Sequence, residues 1–170
     1  MVQDQLRIPF FFGEHELTVD VKNRLLIPSQ VRKNLDPETD GTSFFVTLKG
    51  SIPWFYPRGF YKQLLNLQIA PNLLPSEPLQ KYTHLKLALA DELEWDNQGR
   101  VVLPPNILSR AELGKDVTLI GSKDHLELWN RKRWLDRKKQ LIAESEAIEE
   151  WAMTTLRQPD AAATKESAQS

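Results

Sequence analysis

The 170-residue chain contains no cysteine, which excludes a disulfide framework, a thiolate metal site and a cysteine nucleophile. It has no run of about 18 apolar residues free of charge, the length a membrane-spanning helix needs. The opening stretch MVQDQLRIPFFFGEHE has neither a basic n-region nor a long apolar h-region. With 41% hydrophobic residues, the expectation is a soluble, cytoplasmic protein. Histidine is scarce: His15, His84 and His125 lie far apart with no carboxylate at ligand spacing, so no metal is expected. There is no G-x-S-x-G elbow, no G-x-x-x-x-G-K-[ST] loop and no G-x-G-x-x-G run. These absences point to a non-enzyme without cofactor, catalytic residue or small-molecule substrate. An excess of positive charge is also missing: 22 Lys plus Arg face 23 Asp plus Glu, for a net charge of -1. On its face that argues against nucleic acid, whose binding domains are usually basic.

The neutrality is a cancellation. Residues 1–140 carry 20 basic against 17 acidic residues, +3, and residues 141–170 carry 2 against 6, -4. Glu144, Glu146, Glu149 and Glu150 supply most of the acid. The segment Gln158 to Ser170 has no apolar periodicity and reads as a disordered tail. The basic run Arg131, Lys132, Arg133, Arg137, Lys138 and Lys139 reads as the solvated face of a helix.

What is present is an internal repeat. HELTVDVKNRLLIPSQV at 15–31 is echoed by DELEWDNQGRVVLPPNI at 91–107, an offset of 76. Glu16, Leu17, Asp20, Arg24 and Pro28 match Glu92, Leu93, Asp96, Arg100 and Pro104. Each half continues with an apolar strand, FFVTL at 44–48 or VTLIG at 117–121, then an aromatic-ended strand and a helix, WFYPRGFYKQL at 54–64 or LELWNRKRWLDRK at 126–138. The predicted order in both halves is strand, turn, strand, short helix, strand, strand, helix. The short helices are expected near Ser29 to Leu35 and Pro105 to Leu113. A last helix is expected from about Asn130 to Leu156, with Trp134, Leu141, Ile148 and Trp151 forming a stripe.

Asp20 to Arg24 and Asp96 to Arg100 interrupt apolar stretches, and Asn23 and Gly99 tolerate a left-handed backbone, so each segment reads as a tight reversal. An aspartate at its start can accept hydrogen bonds from the turn, which makes Asp20 and Asp96 turn-stabilisers before they are acids of any other kind. Pro28 and Pro104 end the second strands, because proline cannot donate to a ladder and presets a helical first turn. The prolines at 71, 75 and 78 mark a connector. Each half has about 70 residues, near the size at which a core becomes marginal, so the halves are expected to bury their apolar faces against each other in one barrel. Arg24 and Arg100 leave the turns, with Lys22 beside the first and Gln98 at its counterpart. Such an arginine can present its planar fork to phosphate or to guanine O6 and N7. Equally, it can be satisfied by the aspartate four residues earlier, and the repeat alone leaves both possibilities open.

The run Phe11, Phe12, Gly13, Glu14, then Asp20, Lys22, Arg24, Leu25, Ile27 and Pro28, resembles the first half of the MraZ family. Glu92, Leu93, Asp96, Gly99, Arg100, Leu103 and Pro104, followed by VTLIGSKDHLELWNRKRW at 117–134, resemble its second half. The resemblance covers roughly residues 10–150. It implies an α+β, mainly β fold: a pseudo-twofold double-psi or swapped-hairpin (AbrB-like) barrel of two tandem repeats, with flanking helices and a long C-terminal helix. The division it implies is 10–68 for the first repeat, 69–85 for the connector, 86–140 for the second repeat, 141–157 for the end of the C-terminal helix and 158–170 for the tail. It further implies a nucleoid-associated, ring-forming transcriptional regulator that binds double-stranded DNA at short G-rich direct repeats upstream of the bacterial division and cell-wall genes, usually as a repressor. On this resemblance Arg24 and Arg100 contact DNA, with Lys22 and the turn residues Asn23, Gln98 and Gly99 beside them. An antitoxin-like DNA binder of the same barrel and a protein-assembly module without DNA are the competing expectations.

Overall fold

A computed structural model describes residues 7–156, in which two compact units divide after Arg131. The first unit holds eight strands: β1 (Glu14–Thr18), β2 (Arg24–Leu26), β3 (Ser43–Lys49), β4 (Ile52–Pro57), β5 (Asp91–Glu94), β6 (Arg100–Val102), β7 (Asp116–Ser122) and β8 (His125–Asn130). Its helices are α1 (Ser29–Lys33), α2 (Arg58–Gln68), α3 (Glu77–Thr83) and α4 (Pro105–Ala111), with a π-helical turn at His84–Ala88. The fold is thus α+β and mainly antiparallel, and the strand and helix order expected from the repeat is present in both halves. Among the described residues no helix is long and apolar enough to cross a membrane.

Six strands form one antiparallel sheet in the order β1-β7-β8-β4-β3-β5, and β2 pairs with β6 in a separate two-stranded ribbon. The order reads the same from both ends once each strand is replaced by its repeat counterpart. The first strand of each half is therefore exchanged: β1 lies on β7 of the second half, with Glu16 opposite Thr118, and β5 lies on β3 of the first, with Phe44 opposite Leu93. The ribbon obeys the same symmetry about Leu25 opposite Val101.

Local chemistry explains the element ends. Pro28 and Pro104 sit at the N-caps of α1 and α4 with φ near -54° and -62°, so each stops its strand and starts its helix. The helices end at Lys33 and Ala111, short of the expected Leu35 and Leu113. The connector contains α3, which the prolines hid: Pro78 occupies the first turn of this helix, where a missing N–H costs nothing. The second unit carries α5 (Arg131–Ala143) from Lys132 onward and α6 (Ser145–Leu156), in the place of the expected helix from about Asn130 to Leu156. Only Glu144 separates the two, and the helical bonds from Glu144 N–H to Gln140 O at 2.9 Å and from Ile148 N–H to Glu144 O at 3.0 Å run through it. Of the basic run expected to be solvated, Lys132, Arg133, Arg137 and Lys139 are exposed, Lys138 is half-buried, and Arg131 is half-buried and donates to Leu17 O at 2.8 Å; of the apolar stripe Trp134 and Leu141 are half-buried while Ile148 and Trp151 are exposed. The tail from Gln158 lies outside the described residues.

The core draws on both halves. Leu25, Ile27, Val101 and Leu103 are fully buried together with Phe44, Phe55, Val117, Leu119 and Leu128. Each such side chain contributes about 1.5–3 kcal/mol on burial. A satellite cluster of Tyr56, Phe60, Tyr61 and Leu65 lies under α2. The two halves of the sheet meet at β4 and β8 through only two paired positions, Trp54 opposite Glu127 and Phe55 opposite Leu126. His125 sits at this seam, buried and stacked 3.9 Å from Trp54, with Asp124 2.6 Å from Nδ1 and Glu127 3.4 Å from Nε2. The second contact is too poorly directed to count as a hydrogen bond but close enough to attract charge. Both carboxylates are sequence neighbours of His125: Asp124 precedes it, and Glu127, two residues on, alternates onto its face of the strand. Burial alone lowers the pKa of His125, but the two carboxylates outweigh it and the net shift is upward from 6.5.

Leu25→Ala should cost about 2–5 kcal/mol, because the ribbon cannot collapse onto the cavity without breaking its pairing; urea unfolding of the two proteins measures it. A histidine with a raised folded pKa stabilises most below its unfolded value. The stability difference between the native chain and His125→Gln should therefore be largest below pH 6.5 and shrink as pH rises through the folded pKa, as read by melting temperature against pH.

Candidate nucleic-acid interface

The two D-x-x-x-R turns close in the same way. In the first, Asp20 Oδ1 accepts from the backbone N–H of Lys22 at 2.8 Å and of Arg24 at 2.9 Å, and Oδ2 accepts from Arg24 Nε at 2.6 Å. In the second, Asp96 Oδ1 accepts from the N–H of Gln98 at 2.9 Å and of Arg100 at 3.0 Å, and Oδ2 accepts from Arg100 Nε at 2.8 Å with Nη2 at 2.7 Å. The main chain adds Asn23 N–H to Asp20 O at 2.9 Å and Gly99 N–H to Asp96 O at 2.8 Å. Asn23 at φ 58° and Gly99 at φ 80° take the left-handed conformation that the reversal requires. Asp20 and Asp96 are therefore turn-holding residues.

The turns are also tied to each other. Ile27 N–H donates to Gly99 O at 2.9 Å and Leu103 N–H to Asn23 O at 2.8 Å, so each left-handed residue caps the strand of the opposite half. Along the ribbon Arg24 faces Val102 and Leu26 faces Arg100. With Leu25 and Val101 buried, period-two alternation puts Arg24, Leu26, Arg100 and Val102 on the single outward face. The two arginines are two residue steps apart along the strands, about 7 Å, plus one strand spacing. Lys22 and Gln98 are exposed beside their turns, Asn23 and the arginines are half-buried, and Gly99 is buried.

Of the two possibilities left open for the arginines, the bond to the turn aspartate is realised in both halves. The guanidinium has five N–H donors, and Asp96 engages Nε and Nη2 of Arg100, while Asp20 engages Nε of Arg24. Each carboxylate thus fixes the fork rather than consuming it. The pull is visible in the acids: Asp20 is lowered, chiefly by the Arg24 N–H, and Asp96 falls to about 2, chiefly through the Arg100 side chain. The Asp–Arg bonds are part-buried in the first turn and exposed in the second, and weak as stability terms; their consequence is orientation.

Three neighbours escaped the reading of the repeat. Leu26 and Val102 are 50% and 59% exposed on the arginine face, a placement their i+2 spacing from Arg24 and Arg100 could have signalled. Arg32 on α1 reaches the second turn, so close to Gly99 that a Cβ there would lie 2.5 Å from its Nε; no sequence signal joins residues 67 positions apart. Among the described residues no group of three or more His, Cys, Asp or Glu is arranged to hold a metal ion.

This geometry occurs in a chain whose residues 87–157 match the family model described as "MraZ protein, putative antitoxin-like". A protein of Neisseria meningitidis serogroup C named "Transcriptional regulator MraZ" is 36% identical over 129 residues, covering 73% of this chain and 82% of that protein. Proteins of the same name from Lachnoclostridium phytofermentans and Clostridium acetobutylicum are 35% and 30% identical, with 84% and 85% of their lengths covered.

The carboxyl of Asp96, followed by NMR, should titrate near pH 2 and move up toward 3.8 in Arg100→Ala, since the guanidinium is the main cause of its shift. The stabilising contribution of the pair should be full above pH 3.8 and disappear as pH falls through 2.

Proposed function

We propose that this chain, which belongs to the MraZ family, is a DNA-binding regulator of transcription and reads DNA through the outward face of the β2–β6 ribbon. The observation that carries the reading is the pair of carboxylate-fixed arginines on one face of one ribbon. An arginine already held in place loses little entropy on binding and can turn its remaining donors to guanine O6 and N7. Arg24 and Arg100 read base edges, Lys22 attracts phosphate, and Asn23 and Gln98 form the turn surfaces that approach the groove, with the buried Gly99 shaping the second turn beneath them. Leu26 and Val102 exclude water between the two arginines.

The finer reading follows the family. The exchanged first strands and the shared ribbon fit a swapped-hairpin barrel built from repeats 10–68 and 86–140 with 69–85 between them. The operator is a set of short G-rich direct repeats in the promoter of the division and cell-wall cluster, and the outcome is repression by a ring-shaped homo-oligomer acting on the nucleoid in the cytoplasm. A ring repeats the same weak contact on successive boxes, so avidity raises modest single-subunit affinity by ~100 or more when box and subunit spacing agree. The near-neutral chain then has little affinity for DNA at large. The family model's own wording favours one second reading, an antitoxin-like DNA binder, which requires a toxin encoded beside the gene and a complex between the two.

Arg24→Ala and Arg100→Ala should each cost about 1–3 kcal/mol per engaged site and relax base preference at their own positions. Gel-shift titration on the fragment upstream of the gene checks this, and unchanged binding by the double variant would overturn the assignment. Binding should also fall steeply with salt, which a protein-assembly module without phosphate contacts would not show.

A further inference from the structure

We propose that Arg32 is a phosphate-binding residue of the second turn, supplied by the first half of the chain, and that it makes the two reading turns different in kind. The inference rests on the DNA-binding reading of the ribbon. Its guanidinium packs on the tip of the second turn: a Cβ on Gly99 would lie 2.5 Å from Nε, 2.6 Å from Cζ and 2.9 Å from Nη2. The stem is anchored where Arg32 Nε donates to Ile27 O at 3.2 Å, on the residue whose own N–H donates to Gly99 O. Arg24 and Arg100 are each paired with a carboxylate, whereas among the described residues Arg32 has no ion pair. A half-buried guanidinium with neither a carboxylate nor full hydration is the cheapest charge on this surface to give to an anion, and DNA presents phosphate in that role.

Charge accounting at the turns agrees. The first turn has Asp20 against Lys22 and Arg24, leaving one positive charge; the second has Asp96 against Arg100, leaving none, because Gln98 stands at the lysine's counterpart. Arg32 restores the missing charge from another element. The symmetry-related position 76 residues on is Leu108, which lines a cavity of ≈ 410 Å³ beside the first turn together with Val19 and Asn23. The extra cations beside the two turns differ in origin, and Lys115 also lines the cavity at the first. The exposed Lys22 is borne by the first turn itself, and the anchored Arg32 at the second is borne by the opposite half.

The test is a fluorescence-anisotropy titration of the full chain with the upstream DNA fragment across a range of KCl. Variants Arg32→Gln, Arg32→Lys, Lys22→Gln and Leu108→Gln are compared, with melting curves confirming that each is folded. Arg32→Gln should lower the log-log salt slope by about one per engaged subunit, as Lys22→Gln does, and weaken binding about fivefold per subunit at 0.15 M salt without changing preference among base-substituted fragments. Arg32→Lys should keep the slope, since phosphate accepts a point charge, and Leu108→Gln should leave it unchanged. An unaltered slope in Arg32→Gln, while Arg100→Ala still loses affinity, would overturn this inference and leave the ribbon reading intact. Altered base preference in Arg32→Lys would overturn the phosphate assignment. Loss of nothing in Arg24→Ala with Arg100→Ala would instead sink the ribbon reading itself.

Discussion

The crossing of β2 over β6 is the interaction on which the rest of the structure depends. Three residues from each half pair about Leu25 and Val101, and the two inward side chains of this ribbon are sealed in the core. Ile27 and Leu103 each donate to the left-handed residue of the opposite turn, so the two locally closed turns are tied to each other. The exchange of β1 and β5 repeats that tie at the edges of the sheet. A half of about 70 residues buries too small a fraction of its surface to be secure alone, and the exchange converts two marginal cores into one.

The same crossing sets the surface. A strand alternates its faces, so burying Leu25 and Val101 forces Arg24, Leu26, Arg100 and Val102 outward together. The turn aspartates then do two things with one carboxylate. They satisfy the N–H groups of a tight reversal and they hold a guanidinium by its Nε edge. Pairs of this kind add little stability, and what they supply is a cation whose direction is decided before any ligand arrives. Pseudo-symmetry repeats this device, but substitutions at two positions, Gln98 for the lysine and Arg32 for the leucine, make the copies unequal.

Much of this was legible in the chain. The repeat at an offset of 76 carries the Asp, the left-handed residue, the Arg and the Pro, and these four are local determinants: each acts on backbone within a few residues of itself. That is why the turns, the strand ends at Pro28 and Pro104 and the order of elements follow from spacing alone. Where local signals have two meanings the reading failed. Proline ends some elements and opens others, so Pro78 concealed α3.

The sequence by itself determined the two turns and their chemistry, because a carboxylate four residues before an arginine needs only its own segment to fold. It could not determine that the arginine would bind that carboxylate rather than stand clear, since both arrangements satisfy the same spacing. Nor could it say that the strands would be exchanged, that Arg24 and Arg100 would share one face of one ribbon, or that Arg32 would lie on Gly99. Those are pairings between distant residues. They are fixed by which apolar surfaces can be buried at once, a condition that exists only when the whole core has formed.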